Sequence, residues 1–167
     1  TGVLDQAFIT NTGLQPDSVT VSGSYIYWSH SGNAIGRANI DGTGADPDFI
    51  SGLSGVRGIA VNGSYIYWAG DTTNGIGRAN LNGTGVNQSF ITGAATTDGI
   101  AVDSSHIYWT LPGPGRIARA NLDGSGANTS FIQNAGNPVA VAVDSGVSPP
   151  TLTINSGPSG PTSNRTP

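Results

Sequence analysis

Two histidines, His30 and His106, are the first residues in this chain to test for chemistry. Zinc and non-haem iron sites draw on two or three His or Cys side chains near carboxylates. Cysteine is absent, which excludes thiolate ligands and disulfides. The histidines also stand differently in the chain, His30 two residues after Trp28 and His106 three before Trp109. A shared metal ion is not expected. Ser and Asp are so frequent that chance Ser-His-Asp sets abound, and no spacing singles one out. The sequence therefore assigns no catalytic residue, no metal ligand and no cofactor, and the chain reads as a non-enzyme.

Other polar and aromatic residues recur. Arg37, Arg78 and Arg119 share one context, Ile-x-Arg-Ala-Asn. They could form a ring of cations for an acidic ligand. They could equally tether neighbouring units through Asp or a carbonyl, since a charge held inside a fold needs a partner. Their recurrence favours the tether. Tyr25, Tyr65 and His106 occupy a second common position, where aromatic rings stack on sugars or simply pack. Asp41-Gly42-Thr43-Gly44 and Asp123-Gly124-Ser125-Gly126 could offer oxygen ligands to calcium. Each has one carboxylate, and the middle copy carries Asn82 instead, which fits a tight hairpin turn better. Asn-x-Ser/Thr sequons stand at Asn62, Asn82, Asn87, Asn128 and Asn164, as glycan acceptors or as products of composition.

These residues are positioned by a repeat. Phe8, Phe49, Phe90 and Phe131 are each 41 residues apart, and each is followed by Ile. Ile-Tyr-Trp closes at Trp28, Trp68 and Trp109. A further series runs Val19-Thr20-Val21, Ile59-Ala60-Val61, Ile100-Ala101-Val102 and Val141-Ala142-Val143. In the second copy the apolar segments are Gly58–Val61, Tyr65–Ala69, Gly75–Leu81 and Gln88–Thr92, separated by Gly- and Asn-rich turns. Short Ile/Val/Tyr/Phe runs between such turns read as antiparallel strands. Four strands in about 41 residues is the size of one β-propeller blade.

Composition agrees. All six basic residues are Arg and all ten acidic ones Asp, while Gly reaches 26. Without Lys or Glu, and with abundant Gly and Asn, helices are disfavoured. Lys absence also removes Schiff-base and P-loop chemistry. A net charge of −4 with scattered Arg offers no stripe for nucleic acid. No apolar run approaches a membrane span, and no signal peptide is visible. A mature secreted protein would look like this, and so would an excised fragment.

Tyr27-Trp28, Tyr67-Trp68 and Tyr108-Trp109, with Ile-Gly-Arg-Ala-Asn-Leu-Asn-Gly and Gly-Ile-Ala-Val, resemble the YWTD repeat. That repeat is known from the low-density lipoprotein receptor family and bacterial secreted relatives. The resemblance covers about Ala7 to Asp144 and implies a six-bladed ring. The Thr-Asp half is mostly lost: Ser29-His30, Ala69-Gly70 and Thr110-Leu111 follow the three Trp residues. The Asp after the Ile-Ala-Val series survives at Asp103 and Asp144. Some bacterial relatives resemble a seven-bladed lyase that opens a cyclic antibiotic, but its His and acidic residues find no match here.

The expected fold is all-β: three four-stranded blades over residues 1–145, with partial end strands at Ala7–Thr10 and Ala140–Val143. Three blades do not close an ordinary ring, so an open or oligomeric assembly is expected, completed by a second copy or by another segment of a longer chain. Residues 146–167 are rich in Pro, Ser and Gly and read as a linker or a donated strand (Thr151–Asn155). They also resemble the opening of a bacterial immunoglobulin-like domain. The expected function is an extracellular structural or adhesion module, assembling into a fibre or a dimeric ring. A propeller binding carbohydrate or protein on its loops is the alternative, and a metal-assisted lyase the least supported one. Neither nucleic acid nor membrane insertion is expected.

Overall fold

The computed structural model describes residues 8–10, 12–31, 33–70, 75–94 and 96–144. The expected linker at 146–167, Asn164 and Ala7 lie outside them, as does most of the loop Asp71–Gly75.

Twelve strands form three sheets. Blade 1 holds β1 (Pro16–Ser22), β2 (Tyr25–His30), β3 (Ala34–Asn39) and β4 (Asp46–Ile50). Blade 2 holds β5 (Val56–Val61), β6 (Tyr65–Gly70), β7 (Gly75–Asn80) and β8 (Asn87–Thr92). Blade 3 holds β9 (Ile100–Val102), β10 (His106–Leu111), β11 (Arg116–Asn121) and β12 (Asn128–Ile132). Each sheet is an antiparallel meander in sequence order. The inner strands β1, β5 and β9 lie beside one another. This is the expected propeller architecture. Among the described residues, no helix is long and apolar enough to cross a membrane.

The turns follow from their residues. In blade 1, the Asp41 carboxylate accepts from Thr43 N–H at 3.0 Å and from Thr43 O–H at 2.7 Å, and Asn39 Nδ2 donates to Thr43 Oγ1 at 2.9 Å. Asn80/Asn82/Thr84 and Asn121/Asp123/Ser125 repeat this set. Between the first two strands of blades 2 and 3, Asn62 and Asp103 accept two backbone N–H bonds each.

Strand alternation puts Tyr27, Ile35 and Ile50 on one face of blade 1, and these pack with Ile59, Ile66, Trp68 and Ala79 of blade 2. Tyr67, Ile76 and Ile91 of blade 2 meet Ile100, Ile107, Trp109 and Ala118 of blade 3 in the same way. The core thus lies between blades, and blade 2 is covered on both faces. Gly36 and Gly77 stand opposite Trp28 and Trp68, where a methyl group would overlap the indole ring.

The end segments differ from the expectation. Residues 8–10 and 140–143 run beside blades 1 and 3 but join no ladder. Their sequence is strand-like, yet a strand is defined by a hydrogen-bonded partner, and neither segment has one within the described residues.

Candidate functional site

The recurrent arginines sit between aromatic rings. Arg37 Cζ lies 4.5 Å from the Tyr25 ring centroid and 3.9 Å from that of Phe49. Arg78 repeats this with Tyr65 at 4.2 Å and Phe90 at 3.9 Å. Arg119 lies 4.2 Å from the Phe131 centroid, with His106 at the position of the two tyrosines. Each guanidinium is therefore engaged by cation–π contacts within its own blade. An Asp or carbonyl partner in a neighbouring unit is the expectation from the sequence; the contacts seen are with rings of the same blade. Burial pushes the Tyr27 and Tyr67 phenols up, and Arg37 and Arg78 beside them pull back part of the way.

Tyr25, Tyr65 and His106 open equivalent strands and pair with the next aromatic on the same face. Their ring centroids lie 6.2 Å from Tyr27, 6.1 Å from Tyr67 and 5.9 Å from Tyr108. His106 Nδ1 is 4.0 Å from the Asp103 carboxylate, which also accepts from Tyr108 O–H at 3.0 Å. Burial works to raise the Asp103 carboxyl, but the N–H bonds of Ser105 and His106 and the Tyr108 hydroxyl outweigh it and leave the group lowered.

The two histidines are not brought together. His30 closes β2 in blade 1, whereas His106 opens β10 in blade 3, at the opposite end of the equivalent strand. His30 is buried, and its Nε2 lies 2.9 Å from the Pro47 carbonyl, an acceptor, so this nitrogen carries the proton. Among the described residues, no group of three His, Cys, Asp or Glu side chains converges. Asp41 and Asp123 are occupied by their own turns, whose Thr43 and Ser125 bonds hold both carboxyls below the usual range. Asn82, Asn87 and Asn128 are exposed; Asn62 is half-buried, with Nδ2 3.4 Å from the Tyr67 hydroxyl.

One contact escaped the sequence reading. The ring of Phe49 rests on Gly83 of the next blade, and that of Phe90 on Gly124. A Cβ at these glycines would stand 3.2 Å and 3.1 Å from the two Cζ atoms. Phe8 sits on Gly42 likewise, with Cε2 3.3 Å from such a Cβ. The glycines adopt φ of +83°, +82° and +85°, where L side chains are strained. Each glycine lies 34 residues after its phenylalanine, a spacing visible in the sequence.

Between the inner strands runs a groove of about 710 Å³. Asp17, Arg57 and Asp98 line one end, with Arg57 Nε 3.4 Å from Asp98. Residues 139–143 form its far wall.

No protein-family model matches the sequence, and a search of curated proteins finds no match. Solved structures do match. A crystal structure of a nidogen/laminin complex aligns with TM-score 0.64 at 24% identity, over 77% of this chain and 52% of that one. The computationally designed Ika4 protein aligns with TM-score 0.64 at 8% identity, over 82% and 86%. Virginiamycin B lyase from Staphylococcus aureus aligns with TM-score 0.57 at 21% identity, over 75% and 45%. The chain thus spans about half the length of the nidogen/laminin chain it matches and less than half of the lyase. At these identities the likeness is one of fold, and the fold is that of a β-propeller.

Proposed function

We propose that this chain is an extracellular structural or adhesion module of YWTD-type repeats, working through contacts of its blade faces and not through catalysis. One comparison carries the reading. Ile50 and Ile91 are 3% and 4% exposed, whereas the equivalent Ile132 is 45% exposed. At the other end Val19 is 68% exposed, against 5% for Ile59 and 7% for Ile100. Both terminal blades thus present side chains that elsewhere in the chain bury against a neighbouring blade. Isolated exposed hydrophobics are ordinary, but Val19 and Ile132 are exposed where their equivalents line an internal interface, and that supports a docking surface there. A protein complex containing a chain of this fold, nidogen/laminin, supports binding as work such a fold does. The repeat resemblance and the exposed sequons Asn82, Asn87 and Asn128 support an extracellular setting.

Light scattering with negative-stain imaging of the same sample tests this. Closed rings of two chains or regular fibres support the reading; a monomer at every concentration overturns self-assembly. A second reading, ligand binding in the groove beside Asp17, Arg57 and Asp98, rests on its volume of about 710 Å³. A rise in melting temperature with a saccharide or peptide would favour it.

A further inference from the structure

Phe8 and Ile9 occupy a seat on blade 1 that elsewhere belongs to a neighbouring blade. Phe49-Ile50 and Phe90-Ile91 end the outer strands of blades 1 and 2. Their phenylalanines rest on Gly83 and Gly124 of the next blade, and their isoleucines fill the core between blades. On blade 1, Phe8 rests on Gly42, and Ile9 lines an apolar pocket with Pro16, Val19, Ile26 and Trp28. Trp28 Nε1 donates to the Thr12 carbonyl at 2.8 Å, tying the same segment down. The fourth dipeptide, Phe131-Ile132, rests on no such glycine among the described residues, and Ile132 is 45% exposed where Ile50 and Ile91 are 3% and 4%; both Phe131 and the seated Phe8 keep an open edge, at 38% and 47%.

We propose that blade 1 is a recognition site for the Phe131-Ile132 segment of a second copy, and that residues 8–10 are an internal occupant of that site. The inference rests on the assembly reading above and names the partner surface. Its geometry is that of the two internal interfaces, repeated between chains. Superposing a second copy in that register places its residues 131–143 where residues 8–21 of the first copy lie, because the two stretches are three repeats apart. Something must give way. The stretches that can do so are 8–10 of one chain and 133–143 of the other, which among the described residues join no ladder; the second would give up the bond that Ala135 N–H donates to the Gly115 carbonyl at 2.8 Å. Exchange therefore breaks no strand pairing, while it covers Ile132 and Val19 together. The contact is heterologous, so it propagates head to tail unless the rotation closes.

Sedimentation velocity over a concentration series, on the full chain, tests this with two variants. Ile9→Asp weakens the internal occupant and should tighten association at least tenfold. Ile132→Asp alters an exposed side chain, so the fold survives, and should abolish association. A synthetic peptide of residues 128–137 should bind the Ile9→Asp variant and dissociate its oligomers. If the wild type associates but neither variant shifts it, the exchange is wrong and assembly uses another surface. If wild type and Ile9→Asp both stay monomeric and the peptide does not bind, the assembly reading falls with it.

Discussion

The Arg78 guanidinium lies 3.9 Å from the centroid of Phe90, and the Phe90 ring in turn rests on Gly124 of the next blade. One side chain thus joins a charge within its own sheet to a turn in the neighbouring sheet. Removing the charge should loosen both. Arg78→Met, which keeps length and loses the cation, should cost about 1–2 kcal/mol in chemical denaturation. Arg78→Lys should recover part of that, because a compact ammonium covers two rings less well than a planar guanidinium.

The turn glycines offer a sharper contrast. Gly83→Ala puts a methyl group at φ +82° and against Phe49, so a loss of about 1–3 kcal/mol is expected. Gly63→Ala, where nothing lies within 4 Å of the new carbon, should change stability by no more than about 0.5 kcal/mol. Paired thermal melts read both.

Acid should weaken the third blade through Asp103. Its folded carboxyl lies below the ordinary value, so its stabilising share is complete above the unfolded pKa of about 4 and is lost as pH falls through the lower folded value. Asp103→Asn should keep the turn, as Asn62 does in blade 2, and flatten part of the acid limb of a stability–pH curve. Asp41 and Asp123, also lowered, should retain the remainder.

Calcium should not raise the melting temperature, and Asp41→Asn should be tolerated. The Asp41 carboxylate already accepts from Thr43, and Asn82 makes the same two bonds in the second repeat. A calcium-dependent shift of several degrees would reverse the assignment of this motif to a turn.

Much of the fold was legible because the repeat is local. Tyr65–Ala69 and Gly75–Leu81 read as strands from their own residues, and the structure has β6 at Tyr65–Gly70 and β7 at Gly75–Asn80. The arginine partners were not legible. Tyr25, Arg37 and Phe49 belong to three successive strands, and the third is offset by an irregularity between Ile35 and Arg37. Which rings face the guanidinium depends on two hairpin registers at once, and no single stretch of sequence fixes both. The end strands failed for a related reason. Phe8-Ile9 has the residues of Phe49-Ile50 but no ladder partner, and pairing is not a property of a segment alone. The Phe-to-Gly interval of 34 residues was present in the sequence throughout, yet its meaning needed the sheets to be stacked.

That interval also constrains how such a chain can change length over generations. Phe8, Phe49 and Phe90 each find a glycine in the following unit, never in their own. Gain or loss of one whole period therefore leaves each surviving ring with a glycine of the same geometry beneath it. Copy number can drift by integers, while the frame in which the copies are counted is held by a contact that spans two of them.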